Sequence, residues 1–139
     1  QTTFGFLSAR VAQSMTVFDG GGEILNSRGD RNEQGAHLKA ARWIDQSGPV
    51  APGVWNGIAL LDHPENPHHP TLFHCRNDGW ACASFNGTAP YRIEPGATLR
   101  LRYRVVLHRS GATDAQVDAR WREYAAEPRV RWGTPRRAP

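Results

Sequence analysis

No uninterrupted apolar run in these 139 residues is longer than the four at positions 58–61, whereas a helix needs roughly 18 to cross a bilayer. A transmembrane helix is therefore excluded, and no membrane partner is expected. Cysteine is scarce, with only Cys75 and Cys82, so the chain is not a disulfide-built scaffold. The two flank a turn signal at Asn77-Asp78-Gly79, which would allow a hairpin bridge, but thiols inside apolar strands are more often core fillers. Reduced thiols are the expectation. Internal repeats and low-complexity tracts are missing. So are Gly-x-Gly-x-x-Gly, a phosphate loop with its lysine, and the Gly-x-Ser-x-Gly elbow, which removes the common nucleotide and serine-hydrolase templates. No cofactor is expected. The opening Gln1-Thr2-Thr3-Phe4-Gly5-Phe6 has no basic segment leading into an apolar one, so no secretory leader is read there and a cytoplasmic location is expected.

The net charge of +4 and pI near 9.7 hint at nucleic acid, but position decides against it. Arg129, Arg131, Arg136 and Arg137 follow the last acidic residue, Glu127, leaving 13 basic and 13 acidic side chains in residues 1–128. The body is neutral, residues 128–139 read as a solvated basic tail, and no nucleic-acid partner is expected.

What the chain has in quantity is turn formers, 14 Gly and 10 Pro, between short stretches of β pattern. These read as strands at 4–11, at 15–18 and 23–26 in a hairpin around Asp19-Gly20-Gly21-Gly22, and at 38–45, 54–61, 71–75 and 80–85. The polar segment 28–35 reads as a loop. In 98–108, Leu99, Leu101, Tyr103, Val105 and Leu107 alternate with Arg100, Arg102 and Arg104, so the apolar set is expected in the core and the arginines in water. One helix is expected at 114–126, capped by Thr113 with Gln116 as capping-box partner and stopped by Pro128. The fold class is all-β: an antiparallel sandwich with one C-terminal helix, one domain over 1–127.

Four of the six histidines fall in Asp62-His63-Pro64-Glu65-Asn66-Pro67-His68-His69-Pro70-Thr71-Leu72-Phe73-His74. Alternation puts His74 with Arg76 on one strand face, Trp43 with Asp45 on another, and Leu61 with His63. If these faces converge, they form a groove suited to a sugar: an indole to pack on a pyranose face, Asp and Arg for hydroxyls, and imidazoles for general acid–base chemistry. Candidate catalytic residues are His63, His74 and Arg76. Candidate substrate-binding residues are Trp43, Asp45, Arg10, Asn66 and Trp80. The bland alternative makes Trp43 a core residue and Asp62 and Asn66 loop staples. A metal site on His63, His68, His69 and His74 is a further alternative, but without His-x-His or His-Glu-x-x-His spacing no metal is expected.

Arg10-Val11-Ala12, Gly21-Gly22-Glu23-Ile24-Leu25-Asn26-Ser27, Ala41-Arg42-Trp43-Ile44-Asp45-Gln46-Ser47-Gly48-Pro49 and Gly57-Ile58-Ala59-Leu60-Leu61-Asp62-His63-Pro64 occur in that order. With His69-Pro70-Thr71, His74, Arg76, Asp78-Gly79 and the Leu-Arg-Tyr-Arg-Val-Val-Leu-His strand, they resemble a bacterial family of unknown function often labelled methane oxygenase PmoA. The resemblance implies a galactose-mutarotase-like β-sandwich, of which this chain is similar to the C-terminal half. It implies a carbohydrate-directed function, as a sugar epimerase or lyase or as a non-catalytic glycan-binding or assembly module. A missing N-terminal half or a second copy is then the expected protein partner. Methane oxidation is not expected, because that enzyme is membrane-embedded and nothing here spans lipid.

Overall fold

A computed structural model describes residues 6–87 and 89–128. The strand start expected at Phe4 and the basic tail after 128 lie outside them. Two antiparallel four-stranded sheets face each other. The first runs in the order β1 (Leu7–Arg10), β7 (Trp80–Ser84), β6 (Leu72–Arg76) and β3 (Lys39–Ala40). The second runs β2 (Glu23–Asn26), β4 (Trp43–Ala51), β5 (Val54–Asp62) and β8 (Tyr103–Arg109). The chain is an all-β sandwich with a C-terminal helix, as its alternating pattern predicts.

The core forms because alternate residues of each strand point the same way. Ile24, Ile44 and Leu60 of the second sheet pack against Phe73, Cys75, Ala81 and Ala83 of the first. Each large side chain so buried contributes about 1.5–3 kcal/mol. The outer face of the second sheet carries Leu25, Trp43, Ala59 and Leu61, covered by Ala112, Ala115 and helix α2 (Val117–Ala126) through Val117 and Tyr124. Cys75 and Cys82 are both free and buried. Cys75 lies opposite Ala81 and Cys82 opposite His74, so the thiols occupy opposite faces of one sheet.

Several expectations are corrected. Residues 15–18 are not a hairpin strand. A 3-10 turn at Gln13–Met15 leads into a bend in which the Thr16 hydroxyl donates to the Gln13 carbonyl and accepts from the Asp19 N–H, both at 3.0 Å. Of the glycines that looked like a hairpin loop, Gly20 and Gly22 are close-approach residues, while Gly21 takes the left-handed conformation with a φ of 68°. A Cβ on Gly22 would sit 2.1 Å from the Met15 carbonyl oxygen, and β2 pairs with β4 rather than with this segment. The single strand expected at 38–45 breaks after Ala40: β3 joins one sheet, β4 the other, and the chain crosses between them at Ala41 and Arg42. The polar loop 28–35 contains the first turn of α1 (Asn32–Ala36), tied down because the Glu33 N–H donates to Asn77 Oδ1 and the Asn77 N–H to Glu33 Oε2.

The helix begins later than its capping box predicted. Gln116 is its N-cap in the left-handed conformation without a side-chain cap, and Thr113 starts the turn before it. Last, β8 starts at Tyr103, and its apolar alternation enters the core only there: Tyr103 packs against the inter-sheet cluster, whereas Val105 is 48% and Leu107 74% exposed. The opposite face, with Val106 and His108, turns toward α2 and the outer cluster.

Candidate functional site

The residues expected in one groove occupy four places. On the outer face of the first sheet, the register sets Arg10 and Arg76 on either side of Trp80, with His74 opposite Cys82. Both guanidiniums reach Asp78 in the β6–β7 turn, at 3.4 and 3.5 Å. The His74 ring packs edge-on against His37, centroids 4.7 Å apart, and His37 donates from Nδ1 to the Cys75 carbonyl at 2.8 Å. Burial, then the charges of His37 and Arg76, hold the His74 pKa below its ordinary value.

His63 and Asn66 lie beyond β5, at the end of the second sheet. Asp62, fully buried, accepts from Asn66 Nδ2 at 2.7 Å on one oxygen, and from His69 Nδ1 at 2.7 Å and the Thr71 N–H at 3.0 Å on the other. Asn66 also clasps residue 102, donating to its carbonyl and accepting from its N–H. This loop is a staple between β5 and the chain entering β8, the role that the bland reading gave Asp62 and Asn66. His63 is buried edge-on under Tyr124, at 5.0 Å between centroids. Its Nδ1 accepts the Glu65 N–H, and burial followed by the Arg102 charge lowers its pKa, so the imidazole is neutral. The neighbourhoods of His63 and His74 do not overlap, and the expected convergence of the two does not occur.

Asp45 heads a third cluster that sequence reasoning missed. On the outer face of the second sheet, Asp45 Oδ1 accepts from the Ser47 hydroxyl at 2.9 Å, and Oδ2 faces His108 Nε2 at 2.6 Å. The other nitrogen, Nδ1, faces the Arg109 carbonyl at 3.1 Å. Both neighbours are acceptors, so both nitrogens carry protons and the ring is an imidazolium paired with a carboxylate. Burial by itself would lower the His108 pKa, but the hydrogen bond and charge of Asp45 outweigh it and the net direction is up. Burial raises Asp45 in turn. The pair exists because His108 lies directly across from Gly57. The only sequence signal was that glycine inside an apolar strand, a mark of close approach.

The four clustered histidines are engaged separately: His63 under Tyr124, His68 stacked on Phe85, His69 on Asp62, His74 beside His37. Among the described residues no three His, Cys, Asp or Glu side chains are grouped to hold a metal ion, which leaves the metal-dependent alternative without a ligand set there.

One cleft does contain a predicted residue. Between α2 and the β2–β4 end of the second sheet lies a cavity of about 330 Å³, lined by Trp43, Arg42, Asn26, Thr113, Gln116 and Asp118 among others. Asp118 organises one wall. Its Oδ1 accepts from Trp43 Nε1 at 3.1 Å and from Arg42 at 2.9 Å, while Oδ2 pairs with Arg122 at 2.7 Å. The Arg42 guanidinium also lies 4.7 Å from the Trp121 ring centroid.

A model of a family of unknown function (DUF6807) matches residues 1–122. The chain belongs to this family. The match to the DUF6807 pattern includes all three polar clusters and every cleft residue named above. No curated protein and no solved structure shows significant similarity to the chain. Among the described residues no helix is long and apolar enough to cross a membrane.

Proposed function

We propose that this DUF6807 chain is a carbohydrate-binding domain that takes a monosaccharide-sized unit in the cleft between α2 and the β2–β4 end of the sandwich. The observation that carries the reading is the cleft's wall chemistry. The edge of the largely buried Trp43 indole, with Leu25 and Val117, makes an apolar floor, and the hydroxyl of Thr113, the amide of Gln116 and the Arg42–Asp118 pair supply donors and acceptors around it. That combination suits a ring with one apolar face and a hydroxyl rim.

Binding is favoured over turnover. An epimerase or lyase needs a general acid or base at the substrate, and among the described residues the only ionisable side chains lining the cleft, Arg42 and Asp118, are committed to each other. His63, His74 and Arg76 lie elsewhere. The reading keeps the galactose-mutarotase-like relationship and the tie to the PmoA-labelled bacterial family as the source of the carbohydrate link, and sets methane oxidation aside.

The test is a titration with a panel of monosaccharides and uronic acids, followed by tryptophan fluorescence and by NMR. Thr113 and Gln116 are exposed, so Thr113→Trp plugs the cleft without entering the core. A saturable response abolished by Thr113→Trp, with unchanged circular dichroism, is expected. A response that survives the plug, or no response to any sugar in the panel, defeats the proposal.

A further inference from the structure

We infer that the free edge of β8 is a self-association surface, on which a second copy of this chain pairs antiparallel to extend the second sheet. Exposed sheet edges are usually protected by shortness, charge, proline or a covering segment. The other three edges follow that rule: β1 has four residues and ends on Arg10, β3 has two, and β2 is bridged by Arg31 opposite Leu25. β8 has seven residues, no proline and no register shift against β5, and of its three cationic side chains Arg104 and His108 are paired within the chain, leaving Arg109 at its end. Among the described residues no strand pairs with its outer side.

The side chains say which partner fits. Tyr103, Val105, Leu107 and Arg109 share one face of β8, next to Leu60, Ile58 and Asn56 of β5. A two-fold axis through the middle residue, Val106, uses the full strand. It sets Val105 opposite Leu107 of the second copy and Tyr103 opposite its Arg109, so apolar meets apolar and a guanidinium meets a phenol ring. Such a contact is self-complementary, as a two-fold interface must be. On the other face, Arg104 would meet His108 of the second copy, but each cation already has its carboxylate, Glu127 and Asp45 respectively. The apolar surface continues past β8 along a groove of about 510 Å³ lined by Val50, Ile58 and Leu107 among others. A seven-residue pairing hides less than the roughly 800 Å² per partner of a stable dimer, so association in the range of about 10–100 µM is expected.

Sedimentation velocity of the 139-residue chain tests this. The expected result is a shift from monomer to dimer as concentration rises through that range, abolished by Leu107→Lys, whose site is too exposed for the change to disturb folding. Mild oxidation of a mixture of Val105→Cys and Leu107→Cys chains should give a cross-linked dimer that neither gives alone. Chains that stay monomeric to about 1 mM, or dimers that survive Leu107→Lys, overturn the proposal and leave the edge to a different strand. The sugar cleft lies on the opposite face of the sheet, so Leu107→Lys should leave any saccharide response intact and the two proposals fail separately.

Discussion

A single methyl group added at position 57 should dismantle the buried Asp45–His108 pair. An alanine Cβ there would lie 2.2 Å from His108 Cε1, 2.6 Å from Nε2 and 2.9 Å from Ser47 Cβ. The imidazole must leave, and the fully buried Asp45 carboxylate is stranded. Breaking a buried ion pair by removing one partner costs about 3–5 kcal/mol, a large share of the roughly 5–15 kcal/mol that holds a domain folded. Urea unfolding at pH 6 measures it. Because the clash is with His108, Gly57→Ala should cost much less in a His108→Ala background, giving a coupling energy of about 1–3 kcal/mol.

The same pair predicts a pH dependence. The folded His108 pKa lies above the unfolded value of about 6.5, so the stabilisation is fully present below pH 6.5 and is lost as pH rises through the raised folded value. Wild type should therefore lose stability relative to His108→Gln as pH rises from about 6.5 into the alkaline range. The account of the pair is refuted if Gly57→Ala is neutral within about 0.5 kcal/mol, or if the difference between wild type and His108→Gln is flat across that window.

Two further outcomes follow from the buried groups. Asp62→Asn replaces an acceptor of three hydrogen bonds with a side chain that must turn a donor toward Asn66, His69 or Thr71, and should lower stability by about 2–4 kcal/mol by thermal unfolding; an unchanged melting temperature would contradict the staple role of this loop. Cys75 has its pKa pushed up to about 12 by burial and the Glu33 charge, so it should react with a disulfide reagent at pH 8 only as fast as the chain unfolds; rapid native-state labelling of Cys75 would show that the core opens locally.

Part of the site was legible in the sequence and part was not. The reading put Trp43 and Asp45 on one strand face and His74 and Arg76 on another, and both pairings hold in the register. What failed was the step from faces to a groove. Nothing local in residues 38–45 says that Lys39 and Trp43 belong to different sheets, because the break at Ala41 and Arg42 depends on which strands each half finds to pair with. His108 was invisible as a site residue because its role needs Asp45 and Gly57, 63 and 51 positions earlier in the chain. The cleft residues Thr113 and Gln116 were read only as a helix cap, since the wall they form requires α2 to be laid across the sheet.

By itself, then, the sequence determined the local grammar: that the chain is mostly strand, where most of the strands run, that the sheets are antiparallel, and that a helix closes the chain. These follow from short-range sterics and two-residue alternation, which operate wherever the segment ends up. The tertiary structure alone decided which face of β8 is dry, which histidines meet carboxylates, and that His63 and His74 part company. Burial and pairing are properties of what lies opposite a residue, and in a sandwich the opposite strand is set by long-range pairing that no local pattern encodes.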